Sequence, residues 1–317
     1  MNHIDIYKNL AIIHNDIEDL ILKEIRVGMR VFDLCMFIEN SIREKGVNIA
    51  FPVGININNC IAHYSPLDPN SLTELNEDDV VKIDYGIHKD GYILDAAFTL
   101  CFRECYRELL ETSRRACVEA AKMFFENTKI TNISKRITSL IDTNRFTIVK
   151  ELCGHQIKPY KIHDGNVIPN IILSNYKGII RRNEVYTVEP YVSSSTKDTY
   201  NIHYDRSADC SHYMFNYHEK NFESYSKLIA MIPDLYEYNT LAFNKRWLSP
   251  KSLDYLNAFV SKGIYKEYPA IYEGNLNAKV AQFETTILVT EAEPIILKNF
   301  DNIDKYIKVP IGEPYQN

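Results

Sequence analysis

Residues 80–100, VVKIDYGIHKDGYILDAAFTL, hold two aspartates in an otherwise apolar run. Apolar and β-branched residues flank the turn signal His88-Lys89-Asp90-Gly91, a pattern that predicts a β-hairpin. Folded symmetrically about Lys89 and Asp90, the hairpin sets Ile87 against Tyr92, Gly86 against Ile93, Tyr85 against Leu94 and Asp84 against Asp95. Directly opposed residues hold their Cβ atoms about 4.5–5.5 Å apart. Two like charges at that spacing repel and resist desolvation. A divalent cation between them removes both costs. The plainer alternatives are two carboxylates solvated on an outer face, or a bulge that breaks the register.

Three further segments carry ionisable groups where apolar ones are expected. Cys153-Gly154-His155-Gln156-Ile157 places an imidazole behind a glycine, between β-like segments. Tyr186-Thr187-Val188-Glu189-Pro190-Tyr191 sets one glutamate in an apolar strand, and residues 281–289 do the same with Glu284. An ionised glutamate on the inner face of a strand is expensive without a partner. Taken singly, such a residue is more often half-exposed or paired with an arginine. Taken together, four carboxylates and one imidazole suit two divalent metals, with four negative charges against four positive. Two ions about 3.5–4 Å apart are the arrangement of aminopeptidases and phosphatases.

The elements that must position these groups follow from periodicity. Residues 6–25 and 31–45 show helical spacing, closed by Gly28 and Gly46. Residues 51–66 are crowded with Pro and Asn and predict loops around a short strand. After the hairpin come a helix over 105–126 and another near 131–143. Strands are then expected around 146–153, 157–163, 178–181 and 184–193. Residues 209–267 break this rhythm and read as a mainly helical insertion. A last β region covers 279–289 and continues after Glu293-Pro294. Helices followed by strands, twice over, predict an α+β fold made by duplication.

Composition narrows the class. The chain has 317 residues, 45% hydrophobic and 25% charged, enough for a sizeable core. Its net charge is -6, without a basic run, which disfavours nucleic acid. The seven cysteines (35, 60, 101, 105, 117, 153 and 210) are odd in number and form no Cys-x-x-Cys. They predict reduced thiols in a cytoplasmic protein. Cys101 and Cys105 read as packing residues. Neither a signal peptide nor a membrane span is expected.

The motifs now match a family. The chain resembles the type 2 methionine aminopeptidases, which have the pita-bread fold, over nearly its whole length. The markers are Asn58-Asn59-Cys60-Ile61-Ala62-His63-Tyr64, Lys82-Ile83-Asp84-Tyr85-Gly86, Asp95-Ala96-Ala97-Phe98-Thr99, Gly154-His155-Gln156-Ile157, Cys210-Ser211-His212-Tyr213-Met214 and Gln282-Phe283-Glu284. The resemblance implies a single catalytic domain over 1–317, with pseudo-twofold duplicated halves and an insertion at 209–267 typical of type 2. It implies two divalent metal ions (Mn, Fe, Co or Zn). Asp84 resembles the bidentate ligand of one metal, Asp95 and Glu284 the bridging carboxylates, and His155 and Glu189 the ligands of the other. Glu189 is also implied as proton acceptor for an activated water.

His63 resembles the family histidine that contacts the scissile amide, and His163 a second one that positions substrate or stabilises the oxyanion. Phe51, Ile162, His212 and Tyr268 resemble the wall that takes the methionine side chain, a flexible thioether suited to an apolar slot. For Phe51, Ile162 and Tyr268, plain core packing is the competing reading. Ala242 resembles the small residue that leaves space for the second substrate residue.

The implied activity is co-translational removal of the initiator methionine from proteins with a small second residue. The implied partners are nascent chains and a transient ribosome contact, with no membrane. Three departures are visible. Lys158-Pro159 follows Gln156-Ile157 where the family varies, and Thr285 follows Glu284 where histidine is common. The lysine-rich N-terminal extension of many eukaryotic members is absent, which weakens the expectation of tight ribosome attachment. Two alternatives are a non-catalytic pita-bread paralogue that binds RNA or protein, and a proline-specific peptidase of the same fold. The complete set of five ligand positions disfavours the first. The Asn58-Asn59-Cys60 segment and the late insertion disfavour the second.

Overall fold

The computed structural model describes residues 3–205, 210–217 and 222–308. The insertion boundary expected at residue 209, and both ends of the domain expected over 1–317, lie outside the described residues.

The chain opens with α1 (His3–Glu24) and α2 (Val31–Glu44). Leu10, Ile17 and Ile21 of α1, and Leu34, Ile38 and Ile42 of α2, are buried at helical spacing. Next come β1 (Asn48–Ile49), β2 (Gly54–Ile57), β3 (Cys60–Ala62), β4 (Val80–Lys89) and β5 (Tyr92–Cys101). β4 pairs with β1 and β2 along one edge and with β5 along the other, all antiparallel. α1 lies against β4 and β5.

The hairpin exists, but its register differs from the symmetric one expected. Its loop is only Asp90-Gly91, at φ 50° and 84°. Asp-Gly with two positive φ angles makes a two-residue turn whose twist suits the strands. Lys89 therefore pairs with Tyr92, Gly86 with Asp95, and Asp84 with Ala97. Asp84 and Asp95 are diagonal neighbours rather than direct opposites. The slip is by two positions, so both side chains keep one face.

The second half has α3 (Arg107–Ala121) and α4 (Ile130–Ser139), both shorter than expected, then β6 (Thr147–Ile148), β7 (Cys153–Ile157), β8 (Val167–Pro169), β9 (Val185–Val188), β10 (Tyr191–Ser193) and β11 (Ile202–Tyr204). The strand expected over 157–163 ends at Ile157. Lys158 and Lys161 exchange main-chain hydrogen bonds of 2.9 and 2.8 Å across Pro159 and Tyr160, with Tyr160 at φ 60°. Proline followed by a positive φ is a type II turn. Residues 178–181 form no strand but an extended segment with one bridge, Lys129 to Ile179.

The insertion is less helical than expected. β12 (His212–Phe215) is followed by α5 (Phe222–Ile229), α6 (Pro233–Tyr238), β13 (Phe243–Asn244), α7 (Pro250–Ser261) and β14 (Tyr265–Tyr268). The three strands form a sheet in the order β13-β12-β14, over a core of its own that includes Phe215, Leu235, Phe243, Leu256 and Tyr265. The chain ends with β15 (Ile271–Glu273), β16 (Val280–Gln282), β17 (Thr285–Leu288) and β18 (Ile295–Ile296). β18-β17-β9-β7-β8 make a five-stranded sheet, and β16-β10-β6 a three-stranded one. Cys101 packs as expected, whereas Cys105 is exposed, because it falls in the single 3-10 turn Glu104–Tyr106 ahead of α3. Among the described residues, no helix is long and apolar enough to cross a membrane.

Candidate metal centre and substrate pocket

A cavity of about 380 Å³ lies where the two halves and the insertion meet. Asp84, Asp95, His155, Glu189 and Glu284 all line it. Each comes from a different stretch of backbone. Asp84 is on β4, Asp95 on β5 and His155 on β7, while Glu189 leaves β9 and Glu284 lies between β16 and β17. The halves are stitched beside them. Glu284 N donates to Ala97 O at 2.9 Å and Ala97 N to Glu284 O at 3.3 Å. Thr286 Oγ1 accepts from Asp95 N at 2.9 Å and donates to Asp95 O at 2.7 Å. His155 N donates to Thr187 Oγ1 at 3.1 Å. A Cβ on Gly154 would stand 2.3 Å from Thr187 O, so only glycine lets β7 come this close to β9.

Ligand atoms of Asp95, His155 and Glu284 lie within 4.8 Å of one another, and all three residues are buried. His155 Nε2 is 3.5 Å from Asp95 Oδ2. Burial, and then the neighbouring Asp95 and Asp84 charges, push Glu189 and Glu284 far above the usual carboxylate range. Burial raises Asp84 to about 7. Among the described residues, none of the four carboxylates is in an ion pair with lysine or arginine, and neither residue type lines the cavity. Asp84 Oδ1, Asp95 Oδ1, Glu284 Oε1 and His155 Nδ1 are buried without hydrogen-bond partners. Orphaned acceptors of this kind cost free energy unless a cation meets them. Hard oxygen donors with one imidazole suit divalent metals, so the residues present fit such ions.

Gln282 carries a role that its residue type did not announce. Its Nε2 donates to Asp84 Oδ2 at 3.3 Å and to Glu284 Oε2 at 3.2 Å, orienting two carboxylates at once. The signal was available, because Gln282 and Glu284 alternate on one face of an extended segment. Thr285 faces away and accepts from Lys298 N at 3.0 Å. Support for Glu284 thus comes from residue 282 rather than 285.

The other expected residues line the same cavity: His63, His163, Phe51, Ile162, His212, Ala242 and Tyr268. His63 follows β3 in the left-handed region, at φ 65°. Its ring lies 5.7 Å from that of His212 and 5.8 Å from that of Tyr268. Burial lowers His63 to about 4, so the imidazole is neutral near pH 7. His163 is exposed, with its ring 4.1 Å from that of His155 and nearly perpendicular to it. Tyr217 donates to His163 O at 2.7 Å. Ile162, His212 and Ala242 are buried; Phe51 and Tyr268 are half-buried. Gly86 makes room for Phe51, since a Cβ there would stand 2.2 Å from Phe51 Cε1. Sequence reasoning did not single out Met214, Leu152 or Cys153, which also line the cavity.

Duplicated halves of helices and antiparallel strands, with ionisable residues converging between them, define the pita-bread fold. The chain belongs to metallopeptidase family M24, whose model matches residues 5–291. Methionine aminopeptidase 2 of Komagataella phaffii is 29% identical over 310 residues, covering 89% of this chain and 67% of that protein. Methionine aminopeptidase 2 of Encephalitozoon hellem is 30% identical over 303 residues, covering 88% and 82%. Among solved structures, a thermophilic Arx1 superposes with a TM-score of 0.79 at 15% identity, covering 100% of this chain and 95% of that one. The methionine aminopeptidase of Rickettsia prowazekii gives 0.65 at 15% identity, covering 93% and 96%. These two likenesses are of fold alone.

Proposed function

We propose that this protein is a dinuclear metalloaminopeptidase, cleaving methionine from the N-terminus of nascent chains whose second residue is small, in the cytoplasm. The observation that carries the reading is the convergence of Asp84, Asp95, His155, Glu189 and Glu284 on one cavity without a lysine or arginine among them. Asp84, Asp95 and Glu284 would hold one ion, and His155, Glu189, Asp95 and Glu284 the other. Bound there, two divalent ions supply Lewis acidity and lower the pKa of water.

The chain's own residues do the rest. The Glu189 carboxylate takes a proton from the attacking water and passes it to the leaving amine. His63, neutral at its lowered pKa of about 4, hydrogen-bonds the scissile amide. His163, exposed at the cavity, orients the carbonyl. Phe51, Ile162, His212 and Tyr268 enclose the thioether, and Ala242 leaves space for a small second side chain. Methionine aminopeptidase 2 relatives that align with about nine-tenths of the chain support the substrate class.

Metal analysis of the purified protein, paired with hydrolysis of Met-Ala-Ser and Met-Leu-Ser peptides, tests the reading. The expected result is bound divalent metal with cleavage of the first peptide and little of the second. Metal-loaded protein that cleaves neither would overturn the enzymatic reading in favour of a binding role.

A further inference from the structure

Lys82 is fully buried on β4, two positions before Asp84 and on the same face. A buried ammonium is expensive unless fully hydrogen-bonded. Both hydrogen bonds shown for it go to main-chain carbonyls, Asn58 O at 3.1 Å and Val280 O at 3.0 Å. Those carbonyls come from distant segments. Asn58 sits at φ 53° in the turn between β2 and β3, which leads to His63. Val280 opens β16, which leads to Gln282 and Glu284. Asn58 O also accepts from Val280 N at 3.2 Å, so two strands and a turn meet at one junction. Asn58 Oδ1 accepts from Val80 N at 3.0 Å and from Lys279 Nζ at 3.0 Å, which fixes the turn from outside.

We propose that Lys82 is a positioning residue: its amino group, donating to both carbonyls, sets the Asp84 strand, the turn leading to His63 and the strand leading to Glu284 in one register. The proposal rests on reading the cavity as a metal centre. A packing role alone would be met by an apolar side chain of similar length, which leaves Val280 O without its donor and Asn58 O with only the 3.2 Å bond from Val280 N. The Nζ donor instead joins the segments at points of main chain, where a small shift moves the side chains downstream.

The test is Mn(II) binding to the chelator-stripped full chain, by calorimetry, well below each variant's unfolding temperature. Lys82→Met should weaken binding about tenfold, as loss of outer partners of metal ligands does. Lys82→Ala should lose as much and recover with added propylammonium, which replaces the deleted atoms. Tetramethylammonium at equal ionic strength, with no N–H to donate, should not restore it. Wild-type affinity in Lys82→Met, equal recovery with both salts, or no recovery with either overturns the proposal. Should either variant fail to fold, refolding of Lys82→Ala with each salt decides: propylammonium alone must succeed. Binding is read without peptide cleavage. A wild-type protein that binds Mn(II) but leaves methionyl peptides intact sinks the aminopeptidase reading and spares this one. Wild-type protein that binds no Mn(II) sinks both.

Discussion

The carboxylate floor of the cavity and its apolar wall are held by different means. The floor is fixed through its own backbone: the Ala97–Glu284 bridge, and the Thr286 and Thr187 hydroxyls on the main chain of Asp95 and His155. Much of the wall comes from the insertion, through His212, Ala242 and Tyr268. That insertion has its own core and is anchored to the rest of the molecule by side chains. Glu39 of α2, wholly buried, accepts from Arg246 Nη2 at 2.6 Å and from Trp247 Nε1 at 3.1 Å. Asn244 Nδ2 donates to Ser65 Oγ at 3.1 Å, and Ser211 Oγ to His63 O at 3.4 Å. A floor built on strand register tolerates little change. A wall hung from a carboxylate can be retuned without touching the chemistry.

Four substitutions would break or sharpen this contrast. The largest effect is expected for Asp95→Asn. Outer partners of a ligand already account for about 10–100-fold, so turnover of Met-Ala-Ser should fall by more than about 100-fold while circular dichroism stays unchanged. Near-normal cleavage would remove Asp95 from the site. His63→Ala should cost roughly 10²-fold in kcat, the scale of one lost transition-state donor, with the metal content kept. If the metal is lost instead, His63 belongs to the floor. Gln282→Leu should weaken metal binding about tenfold through Asp84 and Glu284, read by titration with a chelator. Unchanged affinity would mean that the amide contacts are incidental. Glu39→Gln should act on the wall alone, raising KM for methionyl peptides by roughly fivefold, the scale of ~1 kcal/mol for a weakened charged hydrogen bond, at constant kcat. A fall in kcat with KM unchanged would show the clamp reaching the floor.

The two regions also differed in how far the sequence disclosed them. Asp84 and Asp95 were legible because apolar alternation made each charge conspicuous, and a register error of two positions left both on one face. The turn itself was misjudged because the four-residue signal His88-Lys89-Asp90-Gly91 conceals a tighter Asp90-Gly91 loop. The insertion read as helical because Leu228, Ile229 and Ile232, and again Leu253, Leu256 and Phe259, fall at helical spacing. Strands of four residues, His212–Phe215 and Tyr265–Tyr268, are too short for alternation to register. The Pro159 turn cut short a strand that apolar content alone had extended. Gln282 and Lys82 escaped functional notice because one partner of each, Asp84 and Val280, lies 198 positions away.

Thr286 and Asp95 are 191 residues apart along the chain. During synthesis, therefore, the aspartate waits for almost two-thirds of the protein to emerge before its backbone acquires its final neighbour. The entropy lost on closing so long a loop grows only logarithmically with its length, but such distant pairing slows folding. A polypeptide ending between Glu189 and Glu284 would carry three of the four carboxylates and still lack the strands that gather them, so the cluster is completed only when the last strands arrive.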